Sequence, residues 1–338
     1  MPPAASELKI EDIRSPEFLD AQMSAYKRDI ERLQRRMDEF VPVNCPACDL
    51  DDNTFRYEKY RCKFVECNSC ATIYMSPRPS IDVMGEYYSN SENYAFWREY
   101  IFPKSEAARR EKVCKPNLEK LIELAKAEGF ENAHMMEVGP GFGTFAELAL
   151  QGEFFGQVTV IEGNPDMVRA CKERGLTVFH TPLENLDSDS QLNADVAVCF
   201  EVIEHIFDPL EFVTLVGKQL RAGGIFGFTC PNGKGFDTTI LGADALSVDT
   251  EHVNLFNPKS IGALLDRAGF DVILTDTPGR LDVQLVERAI VDRDFDISGN
   301  EFAKQIVVNG TPEQKQNFQD FLANNMLAGN LRVFARKR

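Results

Sequence analysis

The sequence predicts an α/β chain in which a doubly wound, mainly parallel sheet follows a small cysteine-bearing module. Three observations predict it. From about residue 131 onwards, short apolar runs alternate with amphipathic helical text, the pattern of βαβ units joined by right-handed crossovers. The first of these runs passes through clustered glycines into a helix. Well before it, C-x2-C occurs twice, at Cys45/Cys48 and Cys67/Cys70.

Each element can be justified in order. Residues 1–15 are polar and read as a mobile lead-in. SPEFLDAQMSAYKRDIERLQRRMDEF (15–40) reads as a helix with Ser15 as its cap and Pro16 in its first turn. Phe18, Met23, Tyr26, Ile30, Leu33 and Met37 give it one apolar stripe. The stripe is expected to pack on the chain's own core, with a homodimer seam as the alternative. Residues 41–80 lose helical periodicity and carry the paired cysteines. Residues 81–130 are helical again, a linker or lid that stops at Gly129. The strands MMEV, QVTVIE, LTVFH, ADVAVCFEV, IFGFTCP and FDVILTDTP then alternate with the helices TFAELAL, PDMVRACKERG, DPLEFVTLVGKQLRAGG and NPKSIGALLDRAGF. Residues 279–328 break this rhythm with helical text, and LRVFAR (331–336) is a last strand.

Composition narrows the class. With 338 residues, 43% of them hydrophobic, there is material for about two domains and a substantial core. The formal charge of −16 argues against a broad nucleic-acid or anionic-membrane surface. No apolar run approaches the ~18 residues of a membrane span, and the N-terminus shows no secretory signal. The expected setting is the cytoplasm.

Paired C-x2-C knuckles can offer four thiolates in a tetrahedron, a donor set suited to Zn2+. The metal ligands expected are Cys45, Cys48, Cys67 and Cys70. Four protein donors close the coordination shell, so the role expected is structural. Four reduced core cysteines are the bland alternative, but CPAC and CNSC lie in polar, turn-rich text. Cys62 fits the spacing less well. Cys114, Cys171, Cys199 and Cys230 read as core residues.

The glycine loop runs Gly139-Pro140-Gly141-Phe142-Gly143 between strand and helix, where a ligand can approach bare backbone. Glu162 ends the next strand, nineteen residues after Gly143, and its carboxylate can take both hydroxyls of a ribose. Thr144 stands where a dinucleotide fingerprint would have its third glycine. Glu137 precedes the loop, poor company for a pyrophosphate and good company for the α-ammonium of S-adenosylmethionine.

EVGPGFGTF, VIEGNPDMV and CFEVIEHIFDP resemble class I S-adenosylmethionine-dependent methyltransferases. With PRPS after the second cysteine pair and EHVNLFNPKSIGALLDRAGF later on, the chain resembles a subgroup that carries an N-terminal zinc-binding module and includes sugar C-methyltransferases. The resemblance implies a Rossmann-like sheet of seven strands whose last strand is antiparallel. It extends the cofactor site from Glu137, Gly139, Gly141, Gly143 and Glu162 to Gly163, Asn164, Leu183, Phe200 and Glu201. It implies His205 as general base after the fourth strand, with Glu204 and His252 as further acid–base candidates. Glu204 and His205 could instead cap or pair at the next helix. Tyr87, Tyr88, Tyr94 and Trp97 are candidates for a lid. The function expected is methylation, at carbon or oxygen, of a small molecule such as a sugar or nucleotide-sugar. An RNA methyltransferase and a non-catalytic S-adenosylmethionine-binding protein are the alternatives. An anionic acceptor would need a local basic patch, expected at Arg78, Arg98, Lys104, Arg109 and Arg110.

Overall fold

A computed structural model describes residues 8–186 and 191–338. Of the lead-in expected over 1–15, residues 1–7 lie outside this description.

The central sheet has seven strands: β6 (Ala133–Val138), β7 (Phe155–Glu162), β8 (Thr177–His180), β9 (Ala194–Phe200), β10 (Leu220–Pro231), β12 (Phe270–Asp276) and β13 (Asn330–Lys337). Their spatial order is β12-β13-β10-β9-β6-β7-β8, parallel among β6–β10 and antiparallel where β13 inserts between β10 and β12. The strand order reverses beside β6, and this switch point is where such sheets bind ligands at their carboxyl ends. Helices cover both faces, so the inner strands read as near-continuous apolar runs. Val196, Ala197, Val198 and Cys199 of β9 are all fully buried.

The remaining strands are short: β1 (Phe40–Val41), β2 (Asn53–Lys59), β3 (Cys62–Cys67), β4 (Ile73–Met75), β5 (Arg78–Pro79) and β11 (Asn254–Leu255). β1 pairs with β5. The other four form a sheet ordered β11-β4-β3-β2. β11 comes from the segment after β10, yet Asn254 pairs with Tyr74 and Leu255 with Ile73. The cysteine module therefore borrows a strand from the larger unit. Cys45, Cys67 and Cys70 share a core with Phe256, Ile261 and Leu264.

The predicted N-terminal helix is realised as Leu19–Gln34, preceded by a 3-10 turn at Pro16–Phe18. Ser15 makes no side-chain cap there. Its most consequential residue is Asp29, which is fully buried. It accepts from Ser91 Oγ (2.7 Å), Glu92 N (3.0 Å) and Asn93 N (2.9 Å). Those donors begin a long helix over 92–127, interrupted by π segments at Trp97–Ile101 and Arg110–Cys114. π segments in otherwise regular helices gather at functional sites. Residues 279–328 contain the helices Asp282–Arg293, Glu301–Val307 and Pro312–Asn324. Among the described residues, no helix is long and apolar enough to cross a membrane.

Candidate active site and cysteine cluster

All three loop glycines have left-handed backbone, with φ of 66°, 54° and 76° at Gly139, Gly141 and Gly143. Only glycine enters this region without cost. A Cβ at Gly143 would also stand 2.8 Å from Leu176 Cδ1, whereas Gly141 faces open space. The loop thus bends tightly and leaves its middle accessible.

Glu137 and Glu162 flank it. Glu137 is buried in β6, and its Oε2 has no hydrogen-bond partner. Burial pushes its carboxyl up to about 8. Glu162 accepts from Asn164 N at 2.7 Å, and its carboxyl is also raised, chiefly by desolvation. Asn164 itself caps the helix Pro165–Glu173, accepting from Asp166 N and Met167 N. Gly163 packs against Pro182, and the neighbouring Leu183 is buried.

A cavity of about 530 Å3 opens beside the loop. Its wall includes Glu137, Gly139, Phe145, Phe200, Glu201 and His252 from the predicted set and its neighbours. Gly141, Gly143, Glu162, Gly163, Asn164 and Leu183 are not part of that wall. The long helix supplies Phe102, Arg109, Lys112, Val113 and Cys114, and the 279–328 region supplies Leu281, Asp282 and Leu285. Glu201 sits at φ 53° and accepts from Thr229 Oγ1 (2.7 Å) and Asn330 Nδ2 (2.9 Å).

The structure sorts the acid–base candidates by access. His252 faces the cavity. Its Nδ1 lies 2.9 Å from the Ser247 carbonyl, which can only accept. Nδ1 therefore donates there, with the Asp249 carboxylate also 3.3 Å away. His205 stands behind, its ring centroid 4.7 Å from that of His252 and not in the cavity wall. Its Nδ1 contacts Tyr88 Oη (3.1 Å) and the Glu251 carbonyl (3.2 Å). Burial, reinforced by His252, holds its pKa well below the usual imidazole range. Glu204 is fully buried with both oxygens unpartnered, so burial and then Glu201 keep its carboxyl neutral far above the usual range. One donor atom each from Glu204, His205 and His252 falls within 4.8 Å of the others, a carboxylate–imidazole set of the kind that holds a divalent cation or relays a proton. Helix capping, the bland alternative, falls to Asp208, which accepts from Glu211 N.

The basic patch is not where the sequence placed it. Arg78 is fully buried and donates to the carbonyls of Met75, Phe207 and Val253. Arg98 pairs with Asp166, Lys104 with Glu17, and Arg110 with Glu147. Only Arg109 of the five reaches the cavity, where it is joined by Arg14, Lys112, Arg280 and Arg332. No local sequence signal marks Arg14 or Arg280. The tyrosines of the lid also turn inward. Tyr87 Oη donates to Glu251 at 2.7 Å, and the Arg14 and Arg109 guanidinium groups lie over the Trp97 ring.

The four predicted cysteines do converge. Cys45 Sγ is 3.4 Å from Cys70 Sγ, and Cys48 Sγ is 3.5 Å from Cys67 Sγ, with all four within 4.8 Å of one another. These spacings exceed the ~2.05 Å of a disulfide and suit a tetrahedron of ~2.3 Å metal–sulfur bonds. The knuckles are matched: Asp49 N donates to the Cys45 carbonyl and Ala71 N to that of Cys67, and Asp49 and Ala71 both have positive φ. Cys62 packs elsewhere, in a separate core.

A doubly wound sheet of this order, with a glycine loop between two carboxylates and a cavity at the strand ends, has the architecture of a nucleoside-cofactor enzyme. Residues 106–275 match a family model described as a methyltransferase domain. The chain belongs to that family and is an S-adenosylmethionine-dependent methyltransferase. Among curated relatives, a ubiquinone biosynthesis O-methyltransferase of Dinoroseobacter shibae is 28% identical over 190 residues, 52% of this chain and 75% of that protein. One of Ruegeria sp. is 29% identical over 155 residues, 43% of this chain and 62% of that protein. One of Roseobacter denitrificans is 30% identical over 145 residues, 40% of this chain and 54% of that protein. The chain thus spans between 54% and 75% of the length of these relatives. A solved S-adenosylmethionine-dependent methyltransferase from Archaeoglobus fulgidus is 19% identical, covering 71% of this chain and 100% of its own, with a TM-score of 0.47.

Proposed function

We propose that the chain methylates an oxygen or carbon of a small molecule, in the first instance a sugar or nucleotide-sugar, using a histidine base. The observation that carries this reading is His252, which lines the cavity beside the glycine loop with its Nδ1 held by the Ser247 carbonyl. Methyl transfer from a sulfonium is a displacement by an already activated donor, so the protein supplies alignment and excludes water. Glu162 would hold the ribose, and Glu137 would face the α-ammonium. Phe102, Phe145 and Phe200 would give the reacting centre an apolar wall. His252 would remove the acceptor's proton, with His205 and Glu204 behind it as neutral partners. The names of the curated relatives favour oxygen as the acceptor atom.

The four thiolates fit a single structural Zn2+, held by Cys45, Cys48, Cys67 and Cys70.

Labelled cofactor offered with a panel of nucleotide-sugars and free sugars tests the acceptor class. Turnover should appear with at least one, and His252→Gln should cut kcat by about 100-fold, the usual scale of a general base. Unchanged turnover in that variant would sink the base assignment. Glu162→Ala should weaken adenosylhomocysteine binding about 10- to 100-fold, as expected for a lost charge-assisted pair; undiminished binding would place the ribose elsewhere.

A further inference from the structure

Trp97, at the start of the first π segment, has a guanidinium over its ring on two counts: the Arg14 and Arg109 Cζ atoms each lie 5.5 Å from the ring centroid. Both arginines line the cavity. Among the described residues, no carboxylate stands at ion-pair distance from either. Arg109 donates to Ser105 Oγ, at 3.1 Å. Asp249 and Glu251 act on Arg14 from further away, and Glu201 on Arg109. Desolvation, and then repulsion from Arg14, brings the Arg109 guanidinium down to about 10. A third guanidinium, Arg280, lines the same cavity with no ion-pair partner among the described residues, and Arg332 opposes its charge further.

Surface arginines elsewhere in this acidic chain are largely paired, as Arg28, Arg36, Arg110, Arg174 and Arg336 show. Like charges brought together in a partly dehydrated place destabilise the empty protein. Guanidinium groups in such a place match planar or tetrahedral oxyanions. We propose that Arg14 and Arg109, stacked on Trp97, clamp an oxyanion of the acceptor, so that the substrate of this methyltransferase carries a phosphate or carboxylate. Residues 8–14 then act as the cover of the filled cavity, since Leu8, Ile13 and Arg14 all face it. The inference rests on the methyltransferase reading above and adds the charge of the acceptor to it.

The cofactor's own carboxylate is the competing anion, and the experiment separates the two. Calorimetry on the full chain saturated with adenosylhomocysteine is run with phenyl phosphate, benzoate and benzyl alcohol as probes. An anionic probe should bind and benzyl alcohol should not. Phenyl phosphate binding above benzoate identifies a phosphate on the acceptor, and the reverse order a carboxylate. Arg14→Gln and Arg109→Gln should each weaken the anionic probe tenfold or more while leaving adenosylhomocysteine affinity within twofold. The lysine variants R14K and R109K should recover part of the loss, which a merely misfolded lid would not. The proposal is overturned if neither anion binds the loaded protein. It is equally overturned if the glutamine variants weaken adenosylhomocysteine as much as the probe while leaving methylthioadenosine, which lacks the amino-acid moiety, unaffected. Failure of adenosylhomocysteine itself to bind the wild type would instead strike the cofactor reading on which the inference rests.

Discussion

Glu137 illustrates how one side chain couples fold, charge and cofactor. It lies in β6, an inner strand of the sheet, 2% exposed, with one oxygen unpartnered. Its carboxyl titrates near 8 instead of 4.5, so at pH 7 it is mostly neutral. An ammonium placed against it would restore the ionised form, because an opposite charge at close range in a dry site outweighs the desolvation that raised the pKa. Cofactor binding at pH 7 should then release close to one proton per chain. Calorimetry in two buffers of different ionisation enthalpy reads this directly, and Glu137→Gln should abolish the buffer dependence. The sign for stability is also fixed. Because the folded pKa is raised, the stabilisation is complete below about 4.5 and is lost as pH rises through about 8. Relative to E137Q, the ligand-free wild type should lose stability across that window and level off above it, as followed by denaturation midpoints. At this scale the sequence was informative where backbone demands or motif spacing fixed the residue, as with the three glycines and the two glutamates. It was silent on Arg14 and Arg280, which reach the cavity only through tertiary packing. It also could not rank His205 against His252, because adjacency in EVIEH says nothing of which imidazole faces the cavity.

At the scale of elements, the long helix over 92–127 is the part of the site most open to perturbation. Its start is held by a carboxylate from another helix, with Asp29 receiving three donors. A negative charge at a helix N-terminus satisfies otherwise orphaned backbone N–H groups and opposes the helix dipole. Asp29→Ala would leave buried donors unpaired, and about 1–3 kcal/mol should be lost. Hydrogen exchange should rise over the segment following Ser91 while β6 and β9 remain protected; uniform acceleration across the chain would show that the cap serves global folding and not the lid. The strands of the large sheet were legible because apolar runs bounded by turn residues leave few other readings. The π segments were not, since nothing in WREYI or REKVC departs from helical periodicity. β11 is only two residues long and owes its existence to pairing with a strand nearly two hundred residues earlier in the chain.

That pairing sets the behaviour of the whole molecule. The sequence divides naturally into a cysteine module and a larger α/β unit, but the fold joins them at several points. β11 completes the module's sheet, Asn257 Nδ2 donates to the Cys70 carbonyl (3.1 Å), and Arg267 Nη1 donates to the Ala47 carbonyl (2.8 Å). Buried Arg78 ties the carbonyls of Met75, Phe207 and Val253 together. The segment carrying His252 immediately precedes β11, so this pairing joins it to the cysteine module. If the four thiolates hold a metal, its binding energy is folding energy for both parts. Purified protein should contain about one zinc per chain, and a chelator should lower the melting temperature of the α/β unit as well as that of the module, in a single transition. Cys67→Ser should do the same and should weaken turnover without any contact to the cofactor. Two separated transitions, with adenosylhomocysteine still protecting the upper one after metal removal, would show that the module folds on its own account and that β11 is not what couples it to the site.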